Sequence, residues 1–207
     1  MKQALGLIEV HSWSGSMVVL DHMEKAAGLE LLQVEINDLL GACIKVVGSP
    51  ADLETALAAG KAAAEAMKVG CVFQIINAPD ERARPAYEAK PEFSPLIETN
   101  LVHFPRETAK EPKMTEETSF AIGMIETQGL TAVFEAVDTA CKAANVEVIG
   151  REKLGGGYIT VLIKGDVAAV KAAVEAGVAK VEGLGKLIAG HVIPRPSKAL
   201  LSLLPKP

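Results

Sequence analysis

The chain has 207 residues, of which 49% are hydrophobic and 4% aromatic, and its formal net charge is −5. An acidic chain without a basic face is unlike nucleic-acid binders, and its apolar runs all fall short of the roughly 20 residues that span a bilayer. Three irregularly spaced cysteines indicate a reducing compartment and provide neither a disulfide framework nor a zinc signature. We therefore expect a soluble cytoplasmic protein of two domains.

The first half of the chain predicts strand, helix, strand, strand, helix, strand. The strand Leu5–Val10 follows the N-terminus without a signal-peptide pattern. Ser14 is the predicted N-cap of a helix that ends near Gly28 in a left-handed residue. Two strands, "ELLQVEI" and "ACIKVVG", come next, and the last strand is Cys71–Ile76. Between them, the apolar face of the second helix is formed by Leu53, Leu57, Gly60 and Ala64.

A proline-rich segment separates this half from the next. Residues 84–119 contain five prolines and many charges, which predicts an extended linker on the surface. Phe93, Leu96 and Phe104 are the side chains that we expect to dock it on a domain.

The second half predicts the same order of elements. Ile122–Thr127 is the first strand, and Thr131 is the predicted N-cap of a helix that ends near Asn145. The strands "EVIGREK" and "YITVLIKG" follow, and Ala189–Ile193 is the last strand. The predicted helix faces are Phe134, Val137, Cys141 and Ala144 in the first helix, and Val170, Val174, Gly177 and Val181 in the second.

The two halves are copies of one sequence. Ala4 of "ALGLIEV" and Ala121 of "AIGMIET" are separated by 117 positions, and one register holds without a gap over some eighty positions. The duplicated order of elements predicts an α+β fold of two tandem split β-α-β domains of ferredoxin-like type, with helices on one face of an antiparallel sheet. We expect the domains at 1–83 and 120–207, the second with a C-terminal tail, and the linker at 84–119. Further pairs at this separation are Asp21 with Asp138, Lys25 with Lys142, Glu35 with Glu152, Gly48 with Gly165, Gly60 with Gly177 and Pro79 with Pro196.

Three consecutive glycines, Gly155 to Gly157, raise the question of a phosphate-binding loop. Such a loop runs from a strand into a helix, whereas these glycines join two strands and no GK[ST] follows them. The nucleotide interpretation therefore fails. A tight hairpin that needs positive φ angles accounts for the glycines.

The second copy strongly resembles the bacterial microcompartment (BMC) shell-protein domain. The matching pieces are "GMIETQGLTAVFEAVD", "KAANVEVIG", "EKLGGGYITVLIKGDVAAVKAA" and "HVIPRP", which cover nearly all of residues 120–203. The first copy matches more weakly, through "ALGLIEV", "KAAGLELLQVE", "VVGSPADLETAL" and "IINAPDERA". The resemblance implies a tandem-domain, non-permuted shell protein. In that family single-domain members form hexagonal tiles, and tandem members form pseudohexameric trimers.

The same resemblance implies a central pore lined by the hairpin between the second and third strands of each copy. Bare glycine backbone would then surround an opening, where amide N–H groups can meet polar metabolites. At the repeat separation the two pore loops differ, so that a trimer would alternate three acidic, apolar loops with three glycine loops. The implied pore-lining residues are Asn37, Asp38 and Leu39 in the first copy, and Lys153, Leu154, Gly155 and Gly156 in the second.

The role of Asp38 has two interpretations. Facing the axis, three copies would raise one another's pKa and attract cations or hydrogen-bonding solutes. Alternatively, Asp38 caps its own turn and never faces the lumen. Leu39 and Leu40 either narrow the opening or pack the loop against the tile.

Three basic residues correspond to the tile edge of the family. Lys25 and Lys142 occupy the position at which the edge lysine lies against a neighbouring tile, and Arg195 matches the arginine that joins this contact. The first copy has Ala78 in place of the arginine, so the two kinds of edge should differ in strength. A solvated surface lysine is the alternative.

We find no pattern for a metal, a cofactor or an enzyme. Some tandem relatives hold an iron–sulfur cluster through a cysteine in the first-copy loop, but here Cys43 lies beyond it, in the next strand. We expect Cys43, Cys71 and Cys141 to be buried apolar residues. The histidines lack metal-ligand spacing. "HSWSGS" lacks the third member of a triad, and its Trp13 is expected to pack.

The function that we expect is structural: a trimeric facet tile, in the shell of a cytoplasmic microcompartment, with a central pore for small molecules. Its partners would be other shell proteins at its edges, encapsulated enzymes and small metabolites, with neither nucleic acid nor membrane. The alternative is a regulatory trimer of ferredoxin-like domains that binds a ligand between subunits. Lateral assembly into sheets would distinguish a tile from a discrete regulator.

Overall fold

A computed structural model describes residues 3–37, 40–105 and 120–204. The chain divides into two compact units. One contains the first repeat, the segment after it and Ser197–Leu203, and the other contains the second repeat. The segment after the first repeat and part of the C-terminal tail thus extend the first unit beyond the sequence-based boundary at residue 83.

The first unit has the predicted order of elements around an antiparallel sheet. Its strands lie in the order β4-β1-β3-β2, with the short strand β7 beside β2. The elements are β1 (Ala4–Val10), α1 (Trp13–Ala26), β2 (Glu30–Ile36), β3 (Ala42–Gly48), α2 (Pro50–Met67), β4 (Cys71–Ile76), a 3-10 turn (Glu81–Ala83), α3 (Arg84–Tyr87), β5 (Phe93–Ser94), β6 (Thr99–Asn100) and β7 (Val102–His103).

The second unit repeats this arrangement. Its sheet order, β11-β8-β10-β9, is the repeat equivalent of β4-β1-β3-β2. The predicted α+β fold of two split β-α-β domains is therefore confirmed. The elements are β8 (Ala121–Gln128), α4 (Leu130–Ala143), β9 (Val146–Gly155), β10 (Tyr158–Gly165), α5 (Val167–Val178) and β11 (Lys186–Ile193), followed by the tail helix α6 (Lys198–Leu203).

Small residues bring the helices close to each sheet. A Cβ atom on Gly123 would lie 2.8 Å from side-chain atoms of Val170 and Val174, so α5 packs directly over this glycine of β8. A Cβ atom on Gly177 would lie 2.7 Å from the carbonyl oxygen of Ala136, where α5 crosses α4. Because interiors are close-packed, these contacts fix both helices over the sheet.

The predicted helix N-caps are wrong in both repeats. In α1 the cap is Ser12, whose Oγ accepts a hydrogen bond from Gly15 N at 3.0 Å, while Ser14 is buried inside the first turn. In α4 the residue before the helix is Gly129, with a φ of 123°, and Thr131 is exposed within the helix. The helix therefore has no side-chain cap, and the N–H of Gly129 donates to Gly157 O in the hairpin.

The predicted left-handed helix ends are also wrong. The helices end at Ala26 and Ala143, and the residues after them, Ala27 and Ala144, are extended, with φ of −156° and −154°. In both cases the chain passes from the helix into the next strand without the left-handed turn that Gly28 and Asn145 suggested. The helix end points were nevertheless close to those predicted.

The predicted apolar face of α4 is divided: Val137 and Ala144 are partly buried against the core, whereas Phe134 and Cys141 are exposed. The buried residues of α4 are Ala132, Val133, Ala136 and Ala140, a stripe of mostly small side chains against the sheet and α5. Phe134 is 48% exposed, and Cys141 is exposed as well. Helical spacing identified a real stripe, but the close approach of α5 selects the smaller side chains for the core. The predicted stripe of α2 is buried as expected, and so are Val170, Val174 and Gly177 of α5, while Val181 is buried but lies beyond the end of this helix.

The tail helix α6 packs against α1 within the first unit. Ser197 N donates to Asp21 Oδ1 at 2.8 Å, and Ala199 N donates to Glu24 Oε2 at 2.7 Å. Leu200 and Leu203, on the same short helix, are buried. Two carboxylates of α1 therefore hold the start of α6, and two leucines anchor it.

The segment after the first repeat is attached through residues other than those predicted. Phe93, Leu96 and Phe104 are all exposed, Leu96 to 94%, so their predicted docking role is wrong. The attachment is instead polar and aromatic. Gln33 exchanges two hydrogen bonds with the backbone of Ala89, at 3.1 and 2.8 Å, and the His103 ring lies 4.8 Å from that of Trp13. Trp13 is buried, as predicted.

Candidate functional site

The three glycines form a tight hairpin between β9 and β10. Tyr158 pairs with Gly155, which leaves Gly156 and Gly157 as the two-residue turn. All three glycines have positive φ, of 85°, 59° and 83°. Two-residue hairpins in which both central residues have positive φ match the twist of the flanking strands, and glycine adopts this conformation without steric cost. The hairpin interpretation of these glycines is confirmed.

The tip of this hairpin is fixed to the start of α4. Gly129 N donates to Gly157 O at 2.9 Å, and Gln128 Nε2 donates to Gly156 O at 3.2 Å. Two carbonyl groups of the turn are therefore bonded to the end of β8 and the residue before α4. The turn keeps a defined position although it consists of glycine.

The four implied pore residues of the second repeat differ in exposure. Gly156 is exposed at the tip, while Lys153 and Gly155 are half-buried. Leu154 is only 5% exposed and packs on the inner side of β9. Within this unit, then, Gly156 presents bare backbone to solvent and Leu154 supports the strand that carries it.

The corresponding turn of the first repeat is closed by Asn37. Its backbone N donates to Gly41 O, and its Oδ1 accepts from Gly41 N, both at 3.0 Å. Asn37 Nδ2 also donates to Glu9 Oε1 at 2.6 Å, which attaches the turn to β1. The predicted pore residues Asp38 and Leu39 lie outside the described residues.

Two further residues of this turn, Leu40 and Gly41, have backbone requirements that the sequence analysis did not predict. Leu40 has a φ of 69°, the same left-handed conformation as its repeat equivalent Gly157. A Cβ atom on Gly41 would lie 1.8 Å from Val10 O, so only glycine fits there. At the Leu40 position the two repeats share a left-handed residue, whereas Gly41 is replaced by Tyr158 in the second repeat.

A buried lysine lies behind this turn, and sequence reasoning missed it. Lys45 is 5% exposed; its Nζ donates to Gln33 Oε1 at 3.0 Å and forms an ion pair with Glu35. A buried charge is tolerated only when it is paired and hydrogen-bonded. The repeat gives no indication of a lysine at this position, because the equivalent of Lys45 in the second repeat is Leu162. The alternation of side chains along β2 and β3 was therefore the only sequence signal that Lys45 faces inward.

None of the three cysteines is fully buried, contrary to prediction. Cys43 and Cys71 are partly buried and Cys141 is exposed. Burial raises the pKa of the Cys43 thiol; Lys45 opposes this shift, and the Glu9 and Glu35 carboxylates add to it. Among the described residues, no three His, Cys, Asp or Glu side chains are grouped so as to hold a metal ion.

The implied edge residues lie at helix ends and on an exposed loop. Lys25 Nζ is 2.6 Å from Asp21 Oδ2, and Lys142 Nζ is 2.5 Å from Asp138 Oδ2. Hydrogen bonding to Asp138 raises the pKa of Lys142 above its usual value. Arg195 is exposed and has no ion-pair partner within the part of the chain that the structure describes.

Burial also affects one histidine, His191 on β11. Desolvation lowers the pKa of its imidazole below the usual value of 6.5. Its repeat equivalent on β4 is Gln74. Among the described residues, no helix combines the length and the apolar character needed to cross a membrane.

Comparison with known proteins gives a family match in both halves. The BMC domain model matches residues 4–79 and again residues 121–196. The bacterial microcompartment shell protein PduA of Citrobacter freundii is 52% identical over 86 residues, which are 42% of this chain and 92% of PduA. The major carboxysome shell protein CsoS1A of Halothiobacillus neapolitanus is 47% identical over 94 residues, which are 45% of this chain and 96% of CsoS1A. A crystal structure of a microcompartment protein from Desulfitobacterium hafniense DCB, 26% identical, covers 97% of this chain and 99% of its own, with a TM-score of 0.38.

Proposed function

The chain belongs to the BMC domain family, which its two repeats match one after the other, and from this membership we propose that it is a structural shell protein of a bacterial microcompartment. The observation that carries the proposal is the match in both repeats, together with relatives that are themselves shell proteins. Its role is then structural, as a component of the shell, rather than catalytic.

Three chains form the tile. PduA and CsoS1A each correspond over more than nine-tenths of their length to less than half of this chain, so each relative is equivalent to one repeat. A ring of six domains with closed three-fold symmetry needs three chains that carry two domains each. The trimer is thus a pseudohexamer in which the two repeats alternate.

The two hairpin turns surround a central opening for small molecules. The second repeat contributes Lys153, Gly155 and the exposed backbone of Gly156, with Leu154 packed behind them. The first repeat contributes its turn at Asn37. Since the Asn37 side chain already closes that turn, a capping role for Asp38 is unnecessary, which favours the pore role. Three Asp38 carboxylates around the axis would favour cations and hydrogen-bonding solutes.

Lateral contacts join the tile to other shell proteins. Lys25, Lys142 and Arg195 form its edges, and the shell places the protein in the bacterial cytoplasm around enclosed enzymes. The two edges differ because Arg195 has no counterpart in the first repeat, where Ala78 stands.

Native mass tests the trimer directly. We expect the full chain, sprayed from volatile buffer after mild salt has removed lateral contacts, to give a species of about 65 kDa, three times the 21.7 kDa chain. Electron microscopy at lower salt should show flat sheets. A stable monomer or dimer under both conditions would contradict the tile, and a discrete trimer that never forms sheets would favour the regulatory alternative.

A further inference from the structure

The equivalent helices of the two repeats are buried to very different extents. In α1 nine of 14 residues are buried, whereas in α4 only four of 14 are. Both helices pack one face on their sheet and on the helix that follows. The difference is a second face, which is covered in α1 and open in α4.

The second face of α4 is apolar. Leu130 and Phe134 are each 48% exposed, and Cys141 on the same stripe is exposed. Their repeat equivalents on α1 are Trp13, Met17 and Glu24, and the first two of these are buried. An apolar stripe of this kind on a helix indicates a contact surface rather than a solvated face.

The covered helix α1 indicates what kind of element fits. Its cover includes α6, the short helix that follows the second repeat. The contact brings the first turn of α6 close to the end of α1, since Ala199 N lies 2.7 Å from Glu24 Oε2. Leu200 and Leu203 of α6 are buried there.

The first repeat is followed by a short helical segment at the same repeat position. The 3-10 turn Glu81–Ala83 and α3, Arg84–Tyr87, together occupy positions 81–87, and the position equivalent to Lys198, where α6 begins, is Glu81. No residue of this segment is buried. The chain therefore has one uncovered helix face in α4 and, at the repeat position of α6, one helical segment without buried residues, which has Ala83 and Ala86 where α6 has Leu200 and Leu203.

We propose that the helical segment 81–87 of one chain packs on the outward face of α4, formed by Leu130, Phe134 and Cys141, in a second copy of the chain. This interface deepens the proposed trimer and depends on it, because a closed ring repeats the same contact at each junction between chains. Each repeat would then be followed by a short helix that covers the first helix of the next repeat around the ring.

The repeat equivalence predicts a specific pair of neighbours across this interface. Position 82 corresponds to Ala199, and Cys141 corresponds to Glu24, whose side chain reaches the backbone of Ala199. Arg82 of one chain should therefore lie near Cys141 of the next. The native thiol is exposed, so a single new cysteine at position 82 can report the contact.

The test is oxidative cross-linking of the full-length Arg82→Cys variant. We expect disulfide-linked dimers and trimers on a non-reducing gel, lost when Cys141→Ser is added. Since Cys43 and Cys71 remain in both proteins, the loss assigns the bond to Cys141. Glu54→Cys, which places a thiol on an exposed position of α2, is the matched control and should stay monomeric on the gel.

Three results would overturn the inference, and they separate it from the proposed function. A native trimer without Cys141-dependent cross-links would contradict the interface and leave the tile intact. A Cys141-dependent bond that migrates as a single chain would mean that the segment covers α4 of its own chain. A native protein that is monomeric would remove the tile and the interface together.

A second variant tests the energetics of the same face. Phe134→Glu should raise the dissociation constant of the trimer by about 30-fold or more, as expected for a central aromatic contact residue. Phe93→Glu, a change of the same kind at an exposed phenylalanine outside this face, should leave the trimer unchanged. Equal effects of the two variants would contradict a specific role for α4.

Discussion

Asp21 and Asp138 show how one residue acquires two roles in a duplicated sequence. Both accept a hydrogen bond from the lysine four positions later. Asp21 is buried and also accepts from Ser197 N, whereas the Asp138 side chain is 54% exposed. The same residue therefore anchors the tail helix in one repeat and forms an ordinary surface ion pair in the other.

We expect Asp21→Ala to lower the free energy of unfolding by about 1 to 3 kcal/mol, because it leaves a part-buried N–H without its acceptor. Asp138→Ala, its control at the repeat position, should change stability by less than about 0.5 kcal/mol. Urea denaturation of both variants measures the difference. Equal losses would mean that the tail contact contributes nothing to stability.

The lowered pKa of His191 predicts a pH dependence. Below pH 6.5, the usual imidazole pKa, the unfolded chain binds a proton that the folded chain still excludes. Stability should therefore fall as the pH drops from 6.5 towards the lower folded-state pKa. His191→Gln, which installs the residue of the first repeat, should remove this part of the pH dependence in thermal melts between pH 7 and pH 5. If melting temperature depends on pH in the same way in His191→Gln, the pH dependence of stability arises from other groups.

Residue roles could be predicted from sequence where the repeat or a backbone rule constrains them. Trp13 packs and the glycines of the hairpin adopt positive φ, as expected. The bond from Asn37 to Glu9 and the buried Lys45 could not be predicted, because each depends on a partner that only the folded sheet brings near. The cap at Ser12 has a local partner, Gly15 N, but the sequence offers Ser14 as an equally good capping residue.

Among the elements, the two equivalent hairpin turns share a left-handed residue at one position, although the residue type differs. Leu40 and Gly157 have φ of 69° and 83°. A left-handed conformation costs a residue with a side chain about 1 to 2 kcal/mol, and it costs glycine little. The first-repeat turn therefore contains strain that the second lacks.

Leu40→Gly should stabilise the protein by about 1 kcal/mol, since relief of the strain exceeds the added flexibility of the unfolded chain. Gly157→Ala should destabilise it by about 1 kcal/mol or more. Gly28→Ala is the control, because its backbone is not left-handed and a Cβ atom there meets nothing within 4 Å. In thermal melts, the melting temperature should be highest for Leu40→Gly, intermediate for Gly28→Ala and lowest for Gly157→Ala. A destabilised Leu40→Gly would show that the leucine side chain contributes more than the strain costs.

Strand positions were predictable because alternating apolar residues and turn signals mark them directly. β2, β3, β4 and β10 have the predicted bounds. The orientation of α4 was not predictable, because its apolar residues form two stripes. Which stripe enters the core depends on how closely α5 approaches, and this distance is a property of the packed fold.

For the whole molecule, the two edges should contribute unequally to assembly. Of the two lysines proposed for the edges, Lys142 is the more exposed, with a side-chain exposure of 74% against 46% for Lys25. In the proposed tile the second repeat also provides Arg195, for which the first repeat has no counterpart.

Lys142→Asp should abolish sheets in electron micrographs while the native mass stays that of a trimer, and Lys25→Asp should weaken them less. We expect Lys142→Asp to have this effect because, in the proposed tile, Lys142 contacts the neighbouring tile, and a reversed charge would disrupt that contact. Lys171→Asp on the exposed side of α5 has the same change of charge and should leave the sheets intact. Loss of sheets in all three variants would indicate a general charge effect rather than an edge contact.

In the proposed trimer, the unlike side chains of the two turns have an evolutionary consequence. In a ring of identical single-domain chains, one substitution at the opening would change all six positions at once. In the proposed ring it would change three, because the other three belong to a separate stretch of the same gene. Selection can therefore alter the charge of the opening in half-steps and combine two chemistries around one axis, without a second gene and without the assembly of mixed rings.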